Sequence, residues 1–268
     1  MSDATARGRL DRWQADLASW AIPDGILAGV EVKPWVHPVA LFTVSDDEIP
    51  DSISHQRARS AVPEQGSVLD VGSGGGRASL ALVPPAEMLV AVDHQQDMLD
   101  AYADAATRRG VRSHLVHGDW PDVADAVPEC DVVVCHHVAY NVGDIGPFLT
   151  ALDAHARCRV VLELPMHHPQ SNLNDLWKQF WDLDRPTNPT AHDLHAIARA
   201  LGFDAQIETW ADVSFGNRNA QTAEERVRFT RIRLCLPEDR EPEVAAALAL
   251  RDDSAPREVA TVWWDVQH

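Results

Sequence analysis

Residues 68–82 read VLDVGSGGGRASLAL, and this stretch decides how the chain folds. A short apolar run that contains Asp70 leads directly into Gly72, Gly74 and Gly76. Short runs rich in Val and Leu are typical of strands that are buried on both faces of a parallel sheet. A glycine-rich turn after such a strand lets a ligand approach the backbone, because no side chain stands in the way. The stretch therefore predicts a first strand followed by a ligand-binding turn.

Similar apolar runs recur along the next hundred residues. They lie at 88–92, 112–116, 131–135 and 159–164, and helical patterns separate the runs at 76–83, 95–109, 120–127 and 144–156. Strands and helices that alternate in this way predict a doubly wound α/β sheet with helices on both faces.

The first 62 residues have a different pattern. Leu10, Trp13 and Leu17 recur at helical spacing, which predicts an amphipathic helix over 4–20. Four prolines interrupt residues 21–62, which we expect to form a cap or an edge over the main domain. We therefore expect an N-terminal helical cap over 1–62 and a main domain over 63–268.

The last part of the chain predicts two further strands. Residues 204–213 and 257–266 alternate between apolar and polar, and helical patterns at 222–235 and 240–250 lie between them. We expect the two strands to close the sheet edge as an antiparallel pair, with a helical insertion at about 216–252.

The composition limits the partners. The chain has 23 Lys and Arg against 41 Asp and Glu, a formal net charge of −18. Such a surface repels phosphate backbones and anionic lipids, so we expect neither nucleic acid nor membrane partners. The N-terminus lacks the apolar core of a signal peptide, and the four cysteines form no C-x-x-C pair. We expect a cytoplasmic protein that is a monomer or homodimer and acts on a small molecule.

The acid ahead of the glycines separates two classes of ligand. A dinucleotide places its pyrophosphate at the N-terminus of the helix that follows the turn. S-adenosylmethionine has no phosphate but carries an amino group and a cationic sulfonium, so a nearby carboxylate such as Asp70 is useful to it. Asp93, at the end of the second run, is placed to bind a ribose. Asp119 and Trp120, after the third run, could meet an adenine, or could instead be a helix N-cap and a core residue.

These motifs together resemble a known family. VLDVGSGGG, VAVDHQQDML, HGDW and DVVVCHHVAYNV stand in this order over about residues 55–165. They are similar to the successive cofactor motifs of the class I S-adenosylmethionine-dependent methyltransferases. The resemblance implies a Rossmann-like, seven-stranded sheet in the order 3-2-1-4-5-7-6 with strand 7 antiparallel. It also implies S-adenosyl-L-methionine as cofactor and S-adenosyl-L-homocysteine as product.

The resemblance also assigns cofactor contacts residue by residue. Asp70 matches the acid that meets the methionine part, and Asp93 matches the ribose ligand. The remaining matches are Gly72, Ser73, Gly74 and Gly76 in the loop, His94, Met98, Asp119 and Trp120 around the adenine, and His136 at the exit of strand 4.

Methyl transfer from a cationic sulfur needs alignment of the reacting atoms, and a hydroxyl or protonated amine acceptor also needs a base. The stretch CHHVAYN supplies His136, His137, Tyr140 and Asn141 as candidates. Adjacent residues of a strand point to opposite sides, so we expect one histidine to face the methyl group. His136 is preferred because it lies at the strand tip, and His137 is the second choice. Either ring could instead only bind the cofactor or a neighbouring loop.

The acceptor site has weaker candidates. Glu163 lies near the end of the fifth run, and His167 and His168 follow in the next loop, at the sheet edge where ligands of α/β proteins bind. Their spacing does not match a metal motif, so we expect substrate contact and no metal. Trp35 could line an aromatic pocket, and Arg185 could bind an acceptor carboxylate, although aromatic residues here are also expected in the core.

The sequence thus predicts a methyltransferase that moves a methyl group in line to a small molecule, with a histidine base. Two alternatives stay open. One is a nicotinamide-dependent Rossmann oxidoreductase, which Asp70 and the lack of a Tyr-x-x-x-Lys pair oppose. The other is a non-catalytic protein that binds S-adenosylmethionine or its product. The sequence does not identify the acceptor or the methylated atom, and a protein acceptor stays possible.

Overall fold

A computed structural model describes residues 3–30, 32–34, 49–212, 222–251 and 256–267. Seven strands form one sheet in the order β3-β2-β1-β4-β5-β7-β6. The strands are β1 Gly66–Val71, β2 Ala86–Asp93, β3 Arg112–His117, β4 Cys130–His136, β5 Ala156–Pro165, β6 Gln206–Asp212 and β7 Arg257–Asp265. β7 is antiparallel to both of its neighbours, and the other pairs are parallel. The predicted order and the antiparallel closing pair are confirmed.

Nine α-helices lie in the described residues. They are α1 Asp3–Ala18, α2 Asp24–Leu27, α3 Ile53–Arg59, α4 Gln96–Arg108, α5 Ile145–Ala154, α6 Asn174–Trp181, α7 Ala191–Ala200, α8 Ala223–Arg233 and α9 Glu241–Ala249. α3 and α4 cover one face of the sheet, and α1, α5 and α7 cover the other. The central strands are buried on both faces, which explains their continuous Val and Leu content.

A smaller apolar cluster lies apart from these two layers. It joins α2 and α6 to the α8–α9 pair through buried side chains such as Trp177, Leu234 and Val244. The α8–α9 pair corresponds to the helical insertion expected before the last strand. No helix in the described ranges is long and apolar enough to cross a membrane.

Two of the predicted helices are wrong. Within 76–83 there is only a 3₁₀ turn at Leu80–Leu82, and within 120–127 only one at Ala124–Ala126. The first connection is short, because β1 ends at residue 71 and β2 begins at 86, and Pro84 and Pro85 precede β2. Proline disfavours the helical conformation in the residue before it, so a helix has no room to extend here.

Candidate functional site

The glycine loop closes over the ends of β1 and β2. The backbone N–H groups of Gly72 and Ser73 both donate to the carbonyl oxygen of Val92. Gly72, Gly74 and Gly76 all have positive φ. A side chain on Gly72 would collide with Val138, and one on Gly76 would collide with Leu80. The protein's own close packing therefore requires glycine at these two positions, in addition to any ligand.

Asp70 is buried beneath this loop and holds it in place. One carboxylate oxygen, Oδ2, accepts from the Ser79 hydroxyl at 2.6 Å and from the Ser79 N–H at 3.2 Å. The hydroxyl of Tyr102 on α4 lies 2.7 Å from the Ser79 hydroxyl. Burial raises the pKa of Asp70 to about 7, although the bonds from Ser79 oppose the shift. The other oxygen, Oδ1, and the hydroxyl of Ser73 are buried and have no hydrogen-bond partner among the described residues.

Asp93 ties the loop to the second strand. Its carboxylate accepts the N–H of Gly74 at 2.8 Å and the N–H of Gln95 at 2.9 Å. It is buried, whereas the neighbouring His94 ring is mostly exposed, with Nδ1 3.7 Å from Asp93 Oδ1. Met98 is buried on α4. Asp93 thus fixes the loop's shape and lies at the same edge as the glycines.

The two residues that follow Gly118 after β3, Asp119 and Trp120, have different surroundings. Asp119 is exposed. The Trp120 indole N–H points to the carbonyl oxygen of Phe148 at 3.4 Å, and its ring meets the His155 ring edge-on at 4.9 Å. Trp120 therefore packs against α5 as part of the core, and Asp119 is the member of the pair that is open at the sheet edge.

A second buried carboxylate lies at the ends of β4 and β5. Glu163 pairs in register with His136, and its Oε1 lies 4.0 Å from His136 Nδ1 and 3.1 Å from His137 Nε2. Its other oxygen, Oε2, accepts from the hydroxyl of Ser52 at 2.7 Å. We call Glu163, His136, His137, Ser52 and His55 the imidazole cluster.

Both neighbouring histidines face Glu163, which differs from the expected strand alternation. β4 ends at His136, and His137 has a φ of 62°, so it lies outside the strand conformation. Its backbone N–H donates to the Glu163 carbonyl oxygen at 2.7 Å. The left-handed turn allows the second ring to reach the same carboxylate as the first.

The two rings differ in exposure. The His136 side chain is 8% exposed, against 32% for His137. Burial lowers the pKa of His136 to about 3, against the attraction of Glu163, and burial also lowers the pKa of His55. Burial tends to raise the pKa of Glu163, but His136 and His137 beside it hold that pKa well below its usual value. The cluster therefore contains an ionised carboxylate and a neutral, enclosed His136, with His137 as the accessible ring.

Ser52 and His55 join the cluster from the N-terminal segment, and the sequence analysis missed them. Ser52 is the N-cap of α3, with its oxygen 2.7 Å from His55 Nδ1. The stretch DSISH carries a recognisable capping signal but nothing that indicates a distant carboxylate.

A cavity of about 390 Å³ lies between α1 and the loops that follow β4 and β5. Its described lining residues are Gln14, Leu17, Ala18, Trp20, Tyr140, Asn141, Gly143, His168 and Gln170. Trp20 stacks on His168 with ring centres 4.0 Å apart. None of these residues is acidic, and burial lowers the pKa of His168 to about 4, so the described lining carries no charge near neutral pH.

Comparison with known proteins agrees with this geometry. A family model described as "Methyltransferase domain" matches residues 68–180. A curated protein named ubiquinone biosynthesis O-methyltransferase, from Azorhizobium caulinodans, is 33% identical over 139 residues, which are 52% of this chain. The match covers 53% of that protein, so the chain spans about half the length of this curated relative.

Solved structures show the same fold. An S-adenosylmethionine-dependent methyltransferase from Thiobacillus denitrificans, in complex with S-adenosyl-L-homocysteine, has a TM-score of 0.53 at 16% identity and covers 85% of this chain and 96% of its own. The YcgJ protein from Bacillus subtilis has a TM-score of 0.54 at 16% identity and covers 80% and 98%. Residues 68–180 thus match a methyltransferase domain, and the chain has the fold of the S-adenosylmethionine-dependent methyltransferases.

The predicted catalytic candidate Tyr140 and the predicted acceptor-binding residue Arg185 already bond other groups of the protein. The Tyr140 hydroxyl donates to the carbonyl oxygens of Pro165 and Met166, and burial raises its pKa. Both terminal nitrogens of Arg185 donate to backbone carbonyls, those of Trp20 and Ala21. Tyr140 lines the cavity, and both side chains have few groups left for a ligand.

The other two acceptor candidates are exposed or lie outside the described residues. His167 is exposed and forms a backbone bridge to Thr190. Trp35 lies outside the described residues. Within the described ranges, no group of three or more His, Cys, Asp or Glu is placed to hold a metal ion.

Proposed function

We propose that the protein is an S-adenosylmethionine-dependent methyltransferase that acts on a small molecule, with His137 as the base. The observation that carries the proposal is the position of His137. It is a partly exposed imidazole whose Nε2 lies 3.1 Å from the buried Glu163 carboxylate. The next residue is Val138, whose side chain packs against Gly72 of the loop. The ring therefore lies beside the loop that matches the family's cofactor motif.

The residues around the loop fit the cofactor. The buried Asp70 Oδ1 and Ser73 hydroxyl have no partner among the described residues, and buried polar atoms normally have one. A bound amino acid group could supply those partners. Asp93 and the exposed Asp119 lie along the same edge for the ribose and the adenine. Once bound, S-adenosylmethionine supplies a methyl group whose bonding pair stays on sulfur as the acceptor atom takes the carbon.

The same region does not favour the nicotinamide alternative. A dinucleotide pyrophosphate binds at a helix N-terminus after the glycine turn. The fully described connection 72–85 contains only the 3₁₀ turn at Leu80–Leu82, so it offers no such helix. The absence of that dipole supports a ligand without phosphate.

The cavity beside α1 is the best candidate for the acceptor site. Its volume is within the range of small-ligand pockets, about 300–1,000 Å³. The uncharged lining and the aromatic pair Trp20 and His168 favour an uncharged ring as acceptor. The curated relative is named an O-methyltransferase, which supports a hydroxyl as the methylated group. The position of α1 also supports the proposal that residues 1–62 form a cap over a domain at 63–268.

His137 is better suited than His136 to take the acceptor's proton. His136 is enclosed, and its low pKa makes it a poor base near neutral pH. His137 is reachable from solvent, so a proton that it takes from a hydroxyl can leave after the methyl group has moved. The enclosed His136 instead helps to surround Glu163.

Ligand binding and turnover together test the proposal. S-adenosyl-L-homocysteine should raise the melting temperature and bind in calorimetry, whereas NAD(H) should do neither. Uncharged phenols and catechols, supplied with S-adenosylmethionine, should yield methylated product by mass spectrometry. Stabilisation by the nicotinamide alone would favour the oxidoreductase. Tight binding of the homocysteine product without turnover across the acceptors would favour a non-catalytic binding protein.

A further inference from the structure

We infer that Glu163 and Ser52 are positioning residues that hold His137 in one tautomer, with Nδ1 as its proton-accepting atom. The inference rests on the proposed function and deepens it, because it makes the start of α3 a part of the active site. The chain Ser52–Glu163–His137 joins three segments that lie far apart in sequence.

Two separate contacts fix the His137 ring against β5. The side-chain contact is the 3.1 Å approach of Nε2 to Glu163 Oε1, and the backbone contact is the N–H bond to the Glu163 carbonyl oxygen. A non-glycine residue with positive φ is uncommon and is retained where its surroundings impose it. The two contacts to one residue supply that constraint.

The charge of Glu163 decides which ring nitrogen carries the hydrogen. An ionised carboxylate only accepts hydrogen bonds, so Nε2 of His137 must be the donor in this contact. Neutral imidazole carries one hydrogen, and Nδ1 is therefore left with its lone pair. The acceptor's proton then passes to Nδ1, Nε2 keeps its hydrogen, and Glu163 stays ionised beside the imidazolium.

Ser52 supplies a hydrogen-bond donor for the second carboxylate oxygen of Glu163. Its hydroxyl donates to Oε2 at 2.7 Å, opposite the oxygen that meets His137. A buried carboxylate with an unpaired oxygen would be costly and would be free to rotate. Ser52 is itself held as the N-cap of α3, and Ser54 on that helix bonds Thr261 of β7 at 2.7 Å.

Other charged or titratable groups also face the cluster. His136 comes from β4 and His55 from α3, and Arg77 of the glycine loop contributes a positive charge near both rings. The His55 Nε2 lies 3.2 Å from the carbonyl oxygen of Arg77. The pH profile of turnover therefore reports on the whole cluster, and a tautomer measurement is needed for His137 alone.

The tautomer can be measured without turnover. In protein labelled with ¹⁵N-histidine, the two-bond proton–nitrogen spectrum distinguishes the two tautomers, and His137→Asn identifies the signals by their loss. We expect the Nε2–H form for wild type and a mixture for Glu163→Gln, because an amide can offer either its oxygen or its NH₂. An Nδ1–H form in wild type, or no change in the variant, would overturn the inference.

Kinetics give the second measurement. Glu163→Gln should lower kcat about 10- to 100-fold with little change in the acceptor KM, as for other residues that orient a reactive imidazole. The pH profile of kcat should also change, because Glu163 no longer places a negative charge in the imidazole cluster. Unchanged kcat and profile, in an enzyme whose wild type turns over, would contradict the inference alone.

Ser52 provides a milder test with matched controls. Ser52→Ala should lower kcat about five-fold, and Ser52→Thr, which keeps the hydroxyl, should restore it. Thr222→Ala removes an equivalent capping hydroxyl from α8 and should cost similar thermal stability without affecting kcat. If Glu163→Gln does not fold, the Ser52 variants and the Thr222→Ala control test the inference instead. Equal kcat losses in Ser52→Ala and Thr222→Ala would show that Ser52 acts only as a cap.

Discussion

Asp70 and Glu163 stand at the same edge of one sheet, both buried and both within hydrogen-bond reach of a serine. Asp70 has hydroxyl neighbours in Ser79 and Tyr102, and burial raises its pKa to about 7. Glu163 lies among imidazoles, which outweigh its burial and lower its pKa. Both carboxylates are buried at the same edge, so the opposite directions of their pKa shifts follow from their neighbours, which are hydroxyls beside Asp70 and imidazoles beside Glu163.

The different neighbours of the two carboxylates suggest that the two regions have different roles. The Asp70 side is built into the loop that matches the cofactor motif, and its neighbours hold that loop in shape. The Glu163 side meets an accessible histidine. We therefore expect variants on the Asp70 side to change cofactor affinity and pH-dependent stability, and variants on the Glu163 side to change turnover.

The largest expected effect is on the Glu163 side. His137→Asn should lower kcat by about 100-fold or more, because the base is lost, while Asn tolerates the positive φ. The affinity for S-adenosyl-L-homocysteine, measured by calorimetry, should stay within two-fold, at about the experimental error. His192→Asn, an exposed histidine of α7, is the control and should behave as wild type. A loss of affinity without a loss of kcat would reverse the proposed division.

Next in size is the loss of the acid at the end of β2. Asp93→Ala should weaken binding of S-adenosyl-L-homocysteine by about 1–3 kcal/mol, because charge-assisted bonds are lost and Gly74 is released. Asp104→Ala, an exposed acid of α4, changes the net charge equally and should leave the affinity unchanged. Equal affinity in both variants would show that Asp93 only shapes the loop.

The third prediction uses the raised pKa of Asp70. The folded protein holds this proton more tightly than the unfolded chain, so ionisation of Asp70 costs stability as pH rises from about 4 to about 7. Asp70→Asn removes that cost. Its unfolding free energy, from urea titrations, should rise relative to wild type over this interval by at most about 4 kcal/mol. The lowered pKa of Glu163 has the opposite sign, since its stabilisation is lost on acidification. A constant difference between wild type and variant across this pH range would mean that Asp70 is not proton-linked.

The smallest expected effect is the loss of stability when either tyrosine is replaced by phenylalanine. Tyr102→Phe removes one buried bond to Ser79, and Tyr140→Phe removes the bonds to Pro165 and Met166. Each should cost on the order of 1 kcal/mol of stability. Because Tyr102 reaches Asp70 through Ser79, only Tyr102→Phe should also change the pH dependence described for Asp70. Matching pH curves for the two variants would show that the Ser79 link carries no such coupling.

The strands could be predicted from the sequence because central parallel strands are buried on both faces and need continuous apolar runs. The pattern at 76–83 was misleading for a related reason. Ala78, Ala81 and Leu82 are buried at helical spacing, yet the residues from Leu80 to Leu82 form only a 3₁₀ turn. That turn is held by a bond from Ser79 to Asp70 that no local pattern reveals.

Some residues of the candidate site could likewise be located from the sequence, and others could not. Asp70 and Asp93 lie at the ends of β1 and β2, and the glycines follow β1 directly, so sequence reasoning could place them in the fold. The expectation that only one histidine faces the site relied on strand alternation, but β4 ends at His136 and His137 has a positive φ. Ser52 and His55 come from another segment, and only the three-dimensional packing of α3 brings them to Glu163.

The position of β7 bears on how the chain is made. β6 pairs only with β7 in the described sheet, and β7 in turn separates it from β5. During synthesis, residues 206–212 leave the ribosome well before 257–265, and until then both β5 and β6 present open strand edges. Such edges can pair with other chains, so we expect the nascent chain to be prone to aggregate during this interval.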